Sequence, residues 1–144
     1  MKKELEPVDL YQHLCFPIYA ASNKLMRRYN KFLKYLGLTY TQYIVMATLW
    51  KKENITQKEL GETLWLKSNT LTPLLQKLMM KGYINVDKSK DDKRCVNISL
   101  TDSGKELKQK AINVPRNIVK RVELTEEEKQ WFVHILYKIL DERE

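Results

Sequence analysis

Residues 55–84, ITQKELGETLWLKSNTLTPLLQKLMMKGYI, decide the fold. Thr56 and Glu59 have capping-box spacing, so a short helix opens there and runs to Leu64. "WLK" interrupts it, and a second helix starts within "SNTLTP", with Ser68 or Asn69 as its natural cap. Leu71, Leu74, Leu75, Leu78 and Met79 form the inward stripe of that helix, and Gly82 ends it. Two short helices joined by a tight turn, the second more polar at its start, make a helix-turn-helix pattern.

On the C-terminal side the hydrophobic period changes. "YINVDK" and "CVNISL" alternate, with the charged "SKDDKR" between them, which predicts a β-hairpin with a basic tip, a wing beside the helix pair. Thr101 then opens a helix, "TDSGKELKQKAI", with a break near Pro115. Thr125 and Glu128 form another capping box, and the last helix carries Trp131, Ile135, Leu136, Ile139 and Leu140 as its stripe. On the N-terminal side, residues 41–52 predict a largely buried helix. Before it, Leu14, Ile18, Leu25, Tyr29, Phe32, Leu33 and Leu36 have helical spacing, which predicts one long helix over 9–36 ended by Gly37. Pro17 is tolerated only in the first turns of a helix, so the regular part should begin just before Cys15. The order is four helices, a hairpin and two helices. The fold class is mainly α with a small β wing. The terminal helical regions are too apolar to stand alone and are expected to pack together across a dimer interface. That gives one domain over 1–144, with a winged helix-turn-helix at about 39–100 and dimerisation helices at about 8–38 and 101–144.

The 144 residues suffice for one core, and four glycines and four prolines favour helices over a many-turned β fold. The net charge of +8 is uneven. Residues 24–36 hold five basic side chains and no acid, and 67–94 hold seven basic against three acidic. Residues 123–144 reverse the sign, with seven acidic and three basic. A basic middle suggests a polyanion, and nucleic acid is the commonest. No signal-peptide pattern and no apolar run approaching the ~18 residues of a membrane span is present. Two cysteines do not make a disulfide framework, so the chain is expected in the cytoplasm with reduced thiols. No glycine-rich phosphate loop and no Ser/His/Asp set appears, and His13, Cys15, Cys95 and His134 lack the paired spacing of a structural zinc site. The expectation is a non-enzyme without metal or cofactor.

The helix-turn-helix stretch, together with "DDKRCVNISLTDSGKEL", resembles the MarR family of winged-helix regulators over nearly the whole chain. Asp92-Lys93-Arg94 matches the family's D-x-R wing signature, and "SLTDSG" follows as it does there. "LCFPIY" with "TYTQY" is similar more narrowly to the organic-hydroperoxide-sensing, one-cysteine branch (OhrR-like). The resemblance implies that Cys15 is the peroxide-reactive thiol, that Tyr29 and Tyr40 of the partner subunit hydrogen-bond it, and that Tyr19 lies nearby. It also implies a homodimeric repressor that releases DNA on oxidation. The branch with a second, resolving cysteine carries it in the C-terminal dimer helices, and this chain has none there. Cys95 then reads as an ordinary strand residue, and a low-molecular-weight thiol as the resolving partner.

Geometry agrees with a shared site. On one continuous helix, Cys15 and Tyr29 lie ~21 Å apart, so they meet only if two copies cross antiparallel. Phenols that donate hydrogen bonds favour a thiolate, the form that attacks a peroxide, and a helix N-terminus adds partial positive charge. For DNA, the candidates on the recognition helix are Ser68, Asn69, Thr70, Thr72, Gln76 and Lys77, with Pro73 offering an apolar contact to thymine. On the wing they are Lys88, Lys90, Lys93 and Arg94, with Asp92 expected to orient Arg94 by a salt bridge. A two-fold dimer demands a pseudo-palindromic double-stranded operator. Two rival readings remain: a MarR-type regulator released by a small phenolic or aromatic ligand, and a thiol peroxidase.

Overall fold

The computed structural model describes residues 9–92, 94–119 and 122–142. Among them the order is α1 (Cys15–Leu33), a 3-10 turn (Lys34–Leu36), α2 (Tyr40–Lys51), β1 (Ile55–Thr56), α3 (Gln57–Leu64), α4 (Ser68–Met80), β2 (Ile84–Lys88), β3 (Val96–Leu100), α5 (Asp102–Ala111), α6 (Val114–Val119) and α7 (Glu126–Leu140). The chain divides into two compact units, Met1–Val114 and Pro115–Glu144.

Local chemistry accounts for the boundaries. Pro17 is the third residue of α1, where its missing N–H costs no intrahelical bond. The tail of α1 tightens into the 3-10 turn and stops at Gly37, whose φ of 66° suits a residue without Cβ. α2 opens one residue earlier than the sequence suggests, because Thr39 and Gln42 form a capping box: the Thr39 hydroxyl accepts the Gln42 N–H at 3.3 Å, and Gln42 Oε1 accepts the Thr39 N–H at 3.1 Å. Tyr43, Val45, Met46 and Leu49 are all buried, so α2 is the inner helix.

The capping box at Thr56 and Glu59 is present. At α4 the expectation fails. The cap is Lys67, whose side chain makes no capping bond, and Ser68 and Asn69 are the first two helical residues. Lys67 is extended, and its carbonyl accepts the N–H groups of Thr70 and Leu71, both at 3.0 Å. Leu71, Leu74, Leu75 and Leu78 are buried as the stripe requires, but Met79 is 44% exposed because the last turn runs past the edge of the core.

The hairpin pairs Ile84 with Leu100 through to Lys88 with Val96. On the far side of β3, Ile55 and Thr56 pair with Ile98 and Asn97, so the antiparallel sheet has the order β1-β3-β2. Two residues are too few to show alternation, which hid β1 in the sequence. Ile55, Ile84 and Ile98 join Leu33, Val45, Met46, Leu49, Leu60, Leu71 and Leu78 in one core, each at most 2% exposed.

The break expected near Pro115 falls between α5 and α6, and α6 itself is an addition. α7 has its capping box, with the Thr125 hydroxyl accepting the Glu128 N–H at 3.1 Å and Glu128 Oε2 accepting the Thr125 N–H at 2.8 Å. Trp131, Ile139 and Leu140 on it are exposed, and Ile135 and Leu136 are half-buried. No described helix is long and apolar enough to cross a membrane.

One close approach fixes α5. A Cβ on Gly104 would sit 2.1 Å from the Tyr83 carbonyl oxygen, and the Gly104 carbonyl accepts the Trp50 indole N–H at 2.8 Å. Both neighbours resist movement, since one is backbone at the root of the hairpin and the other is packed on α2. Gly104→Ala is therefore expected to cost about 1–3 kcal/mol and lower the melting temperature on the order of 10 °C. Thermal unfolding followed by circular dichroism checks this, and an unchanged Tm would contradict the close approach.

Candidate nucleic-acid interface and thiol site

Ser68, Asn69, Thr70, Thr72, Pro73, Gln76 and Lys77 all lie exposed on α4, on the side away from its buried leucines. Thr72 is already engaged: its hydroxyl donates to the Ser68 carbonyl at 2.9 Å and accepts from Gln57 Nε2 at 3.1 Å. Gln57, at the start of α3, thus ties the two helices together on their outer side. Sequence reading missed this residue, because nothing in a helix pattern shows a cross-helix amide bond.

On the wing, Lys88, Lys90, Asp92 and Arg94 are exposed, and Lys93 lies outside the described residues. Asp92 does not orient Arg94 by a salt bridge among the described residues. Its Oδ1 accepts the Arg94 main-chain N–H at 3.0 Å, and its carbonyl accepts the Cys95 N–H at 2.9 Å. The Ser89 hydroxyl accepts the N–H of Asp91 at 3.3 Å, and the Ser89 N–H donates to the Cys95 carbonyl at 2.8 Å. A carboxylate two residues back closes an Asx-type turn more readily than it reaches the end of a guanidinium. The turn is shaped by Asp92, which holds the Arg94 backbone. Cys95 is exposed in this turn, just ahead of β3, with its thiol 3.9 Å from Asp92 Oδ2. A groove of about 1030 Å³ separates the wing root from the α3–α4 turn, and Lys58, Trp65, Lys67, Ser68 and Arg94 line it. Lys58 and Lys67 add positive charge beside Ser68 and Arg94. The turn between the helices brings them there, which their spacing alone does not reveal.

Cys15 is the first residue of α1 and is exposed, with Tyr19 one turn later on the same face, 66% exposed. Tyr29 lies towards the other end of α1, and Tyr40 opens α2. Their rings meet edge-on with centroids 4.8 Å apart. The buried Tyr43 ring joins them at 6.0 and 6.3 Å, and Trp50 follows Tyr43 at 6.3 Å. The chain thus brings Tyr29 and Tyr40 together and leaves Cys15 and Tyr19 apart from them. Tyr43 and Trp50 went unnamed in the sequence because they look like ordinary residues of a buried helix.

Burial, then the neighbouring phenols Tyr40 and Tyr43, pushes the Tyr29 hydroxyl up to about 12. Burial also raises Tyr40, and burial followed by Tyr40 raises Tyr43. At neutral pH all three are protonated donors, and among the described residues none bonds the Tyr29 or Tyr40 hydroxyl, neither of which is sealed from solvent. A raised folded-state value stabilises the fold below the unfolded value of 10.0 and is lost as pH climbs through about 12. The urea midpoint should therefore fall across that window, and Tyr29→Phe should flatten the fall. An equally steep fall in the variant would place the titration elsewhere.

Among the described residues no group of three or more His, Cys, Asp or Glu could hold a metal ion. Known proteins match this architecture. The family described as "Transcriptional regulator SarA/Rot" matches residues 27–111. An "Organic hydroperoxide resistance transcriptional regulator" of Bacillus subtilis (strain 168) is 36% identical over 141 residues, covering 98% of this chain and 96% of its own. The "HTH-type transcriptional regulator SarZ" of Staphylococcus epidermidis (strain RP62A) is 38% identical over 127 residues, covering 88% and 86%. The structure of reduced AbfR bound to DNA superposes with a TM-score of 0.81 at 33% identity, covering 91% of this chain and 92% of that one. These relatives are regulators rather than enzymes. The chain belongs to the SarA/Rot family of transcriptional regulators, DNA-binding winged-helix proteins of the MarR type.

Proposed function

We propose that the protein is a homodimeric cytoplasmic repressor whose Cys15 senses organic hydroperoxides and thereby controls its grip on double-stranded DNA. The observation that carries this reading is the division of the site: an exposed thiol with Tyr19 at one end of α1, and two protonated phenols grouped towards the other. Two copies of α1 crossing antiparallel place each Cys15 against Tyr29 and Tyr40 of the partner subunit. Helices over 8–38 and 101–144 form the dimer, and the apolar residues exposed on α7 suit that role. The winged helix-turn-helix over 39–100 reads the operator through α4 and the wing.

The chemistry is a two-electron oxidation. The Cys15 thiolate attacks the terminal peroxide oxygen, the O–O bond breaks, and the alkoxide leaves and takes a proton to become an alcohol. The sulfur is left as a sulfenic acid. A low-molecular-weight thiol then condenses with it, forming a mixed disulfide and releasing water. Either product is bulkier than a thiol between packed protomers and displaces the phenols, which moves the DNA-reading helices apart from their half-sites.

A mixed dimer tests the shared site. One protomer carries Cys15→Ser, and the other carries Tyr29→Phe and Tyr40→Phe. If the site is shared, this dimer holds one intact thiol site and one fully disabled site. Its single thiol should react with cumene hydroperoxide at the wild-type rate, read by intact mass. A rate as slow as that of the doubly phenylalanine-substituted homodimer would place the phenols on the thiol's own chain and overturn the arrangement.

A further inference from the structure

Among the described residues Gln42 is the buried polar side chain, only 3% exposed. Its Oε1 accepts two donors. One is the Thr39 N–H at 3.1 Å, the local capping bond. The other is the ammonium of Lys81 at 3.1 Å, from the C-cap of α4. The same ammonium donates to the Gly37 carbonyl, at the corner where α1 turns into α2. A lysine at a helix C-terminus ordinarily extends into water and helps the dipole. Lys81 instead reaches back across 39 and 44 residues of sequence to hold two acceptors in one corner.

That corner belongs to the phenol cluster. Tyr40 is the first residue of α2, Gln42 the third and Tyr43 the fourth, so the first turn of α2 carries both phenols and the amide that grips α4. The Lys81 main-chain N–H closes α4 on the Lys77 carbonyl, and the next carbonyl, that of Gly82, accepts the Thr101 hydroxyl at the start of α5 at 2.6 Å. The end of the recognition helix is therefore clamped to the α1–α2 corner on one side and to α5 on the other. The middle of α4 is pinned by Leu71, Leu74, Leu75 and Leu78. A sideways shift of its C-terminal end tilts the exposed N-terminal half about that pivot.

We propose that Lys81 is a positioning residue that couples the Tyr29–Tyr40–Tyr43 cluster to the recognition helix by holding the end of α4 to Gly37 and Gln42. The proposal rests on the redox reading above and names the route by which that site reaches DNA. When the phenols move, the first turn of α2 moves with them, and two charge-assisted hydrogen bonds carry the end of α4 along. Coupling of this kind is measured by the ratio of affinities in the two states, not by either affinity alone.

The test uses a duplex selected from a randomised pool by the reduced wild-type protein. Its Kd is measured before and after cumene hydroperoxide for wild type, Lys81→Met and Lys81→Arg, with Cys15 oxidation followed by intact mass and folding by circular dichroism. Lys81→Met should bind the duplex in the reduced state within about threefold of wild type, because the buried leucines still seat α4 and the Thr39 N–H still satisfies Gln42 Oε1. Its oxidised-to-reduced Kd ratio should fall about tenfold below that of wild type, although Cys15 oxidises at the same rate. Lys81→Arg, which can still reach both oxygens, should restore most of the ratio. A wild-type ratio in Lys81→Met, or equal weakening in both states, overturns the coupling and leaves Lys81 a structural tie. No peroxide effect in wild type itself overturns the sensing reading first, and the coupling with it. If Lys81→Met does not fold, Lys81→Gln takes its place under the same ratio criterion.

Discussion

Cys15→Ser is expected to bind DNA as tightly as the wild type and to ignore peroxide. Oxidised wild type should lose on the order of 100-fold in affinity, the upper part of the usual range for coupling between sites. Serine keeps the size and the exposed position at the start of α1, so the fold and the reduced-state contacts should survive. Its hydroxyl is not ionised at neutral pH and does not attack an O–O bond, so the response should vanish. Fluorescence anisotropy on the selected duplex, with and without cumene hydroperoxide, reads both quantities. DNA release from the serine variant would move the reactive group elsewhere, with Cys95 in the wing as the first suspect. Release of the same variant by a salicylate-like compound would instead favour a regulator governed by a small aromatic ligand. Repeated consumption of peroxide with a thiol reductant, without DNA affinity, would point to a peroxidase.

Arg94→Ala should damage the other half of the function. The guanidinium is exposed at the wing tip, and the Asp92 carboxylate holds its main-chain N–H, which alanine retains. The turn should therefore persist with unchanged stability. Each copy should lose roughly 1–3 kcal/mol of DNA binding, and a two-fold dimer loses it on both wings. The slope of log K against log salt should also become shallower by about one per lost phosphate contact. Cys15 should oxidise at its normal rate throughout. Unchanged affinity would remove the wing from the interface. Asp92→Ala provides the contrast: it keeps the arginine but releases the turn, so a comparable loss there would come from shape rather than charge.

The architecture was legible because its signals are local. Capping boxes at Thr56 and Thr125, the leucine stripe of α4, the terminating Gly37 and the alternation of β2 and β3 each follow from near neighbours in sequence. What escaped depends on distant partners or on which of several local bonds the backbone chooses. β1 exists only through its pairing with β3, and the cap of α4 fell to Lys67 because the backbone there is extended and its own carbonyl is used. The inferred Asp92–Arg94 salt bridge became a hydrogen bond donated by the Arg94 backbone N–H to the carboxylate, since short side chains prefer the nearest N–H. In the candidate site, Cys15, Tyr29 and Tyr40 could be named from the sequence, whereas Gln57, Tyr43 and Lys81 could not. Their significance lies in bonds and ring contacts that cross between elements.

The ring ladder has an optical consequence. Tyr29, Tyr40 and Tyr43 lead, ring against ring, towards Trp50, whose indole is fixed to the Gly104 carbonyl, while Trp65 and Trp131 are exposed. With those two replaced by phenylalanine, the remaining indole would collect excitation energy from the adjacent tyrosines. Its emission would then follow their spacing in real time, so the regulator carries its own spectroscopic gauge.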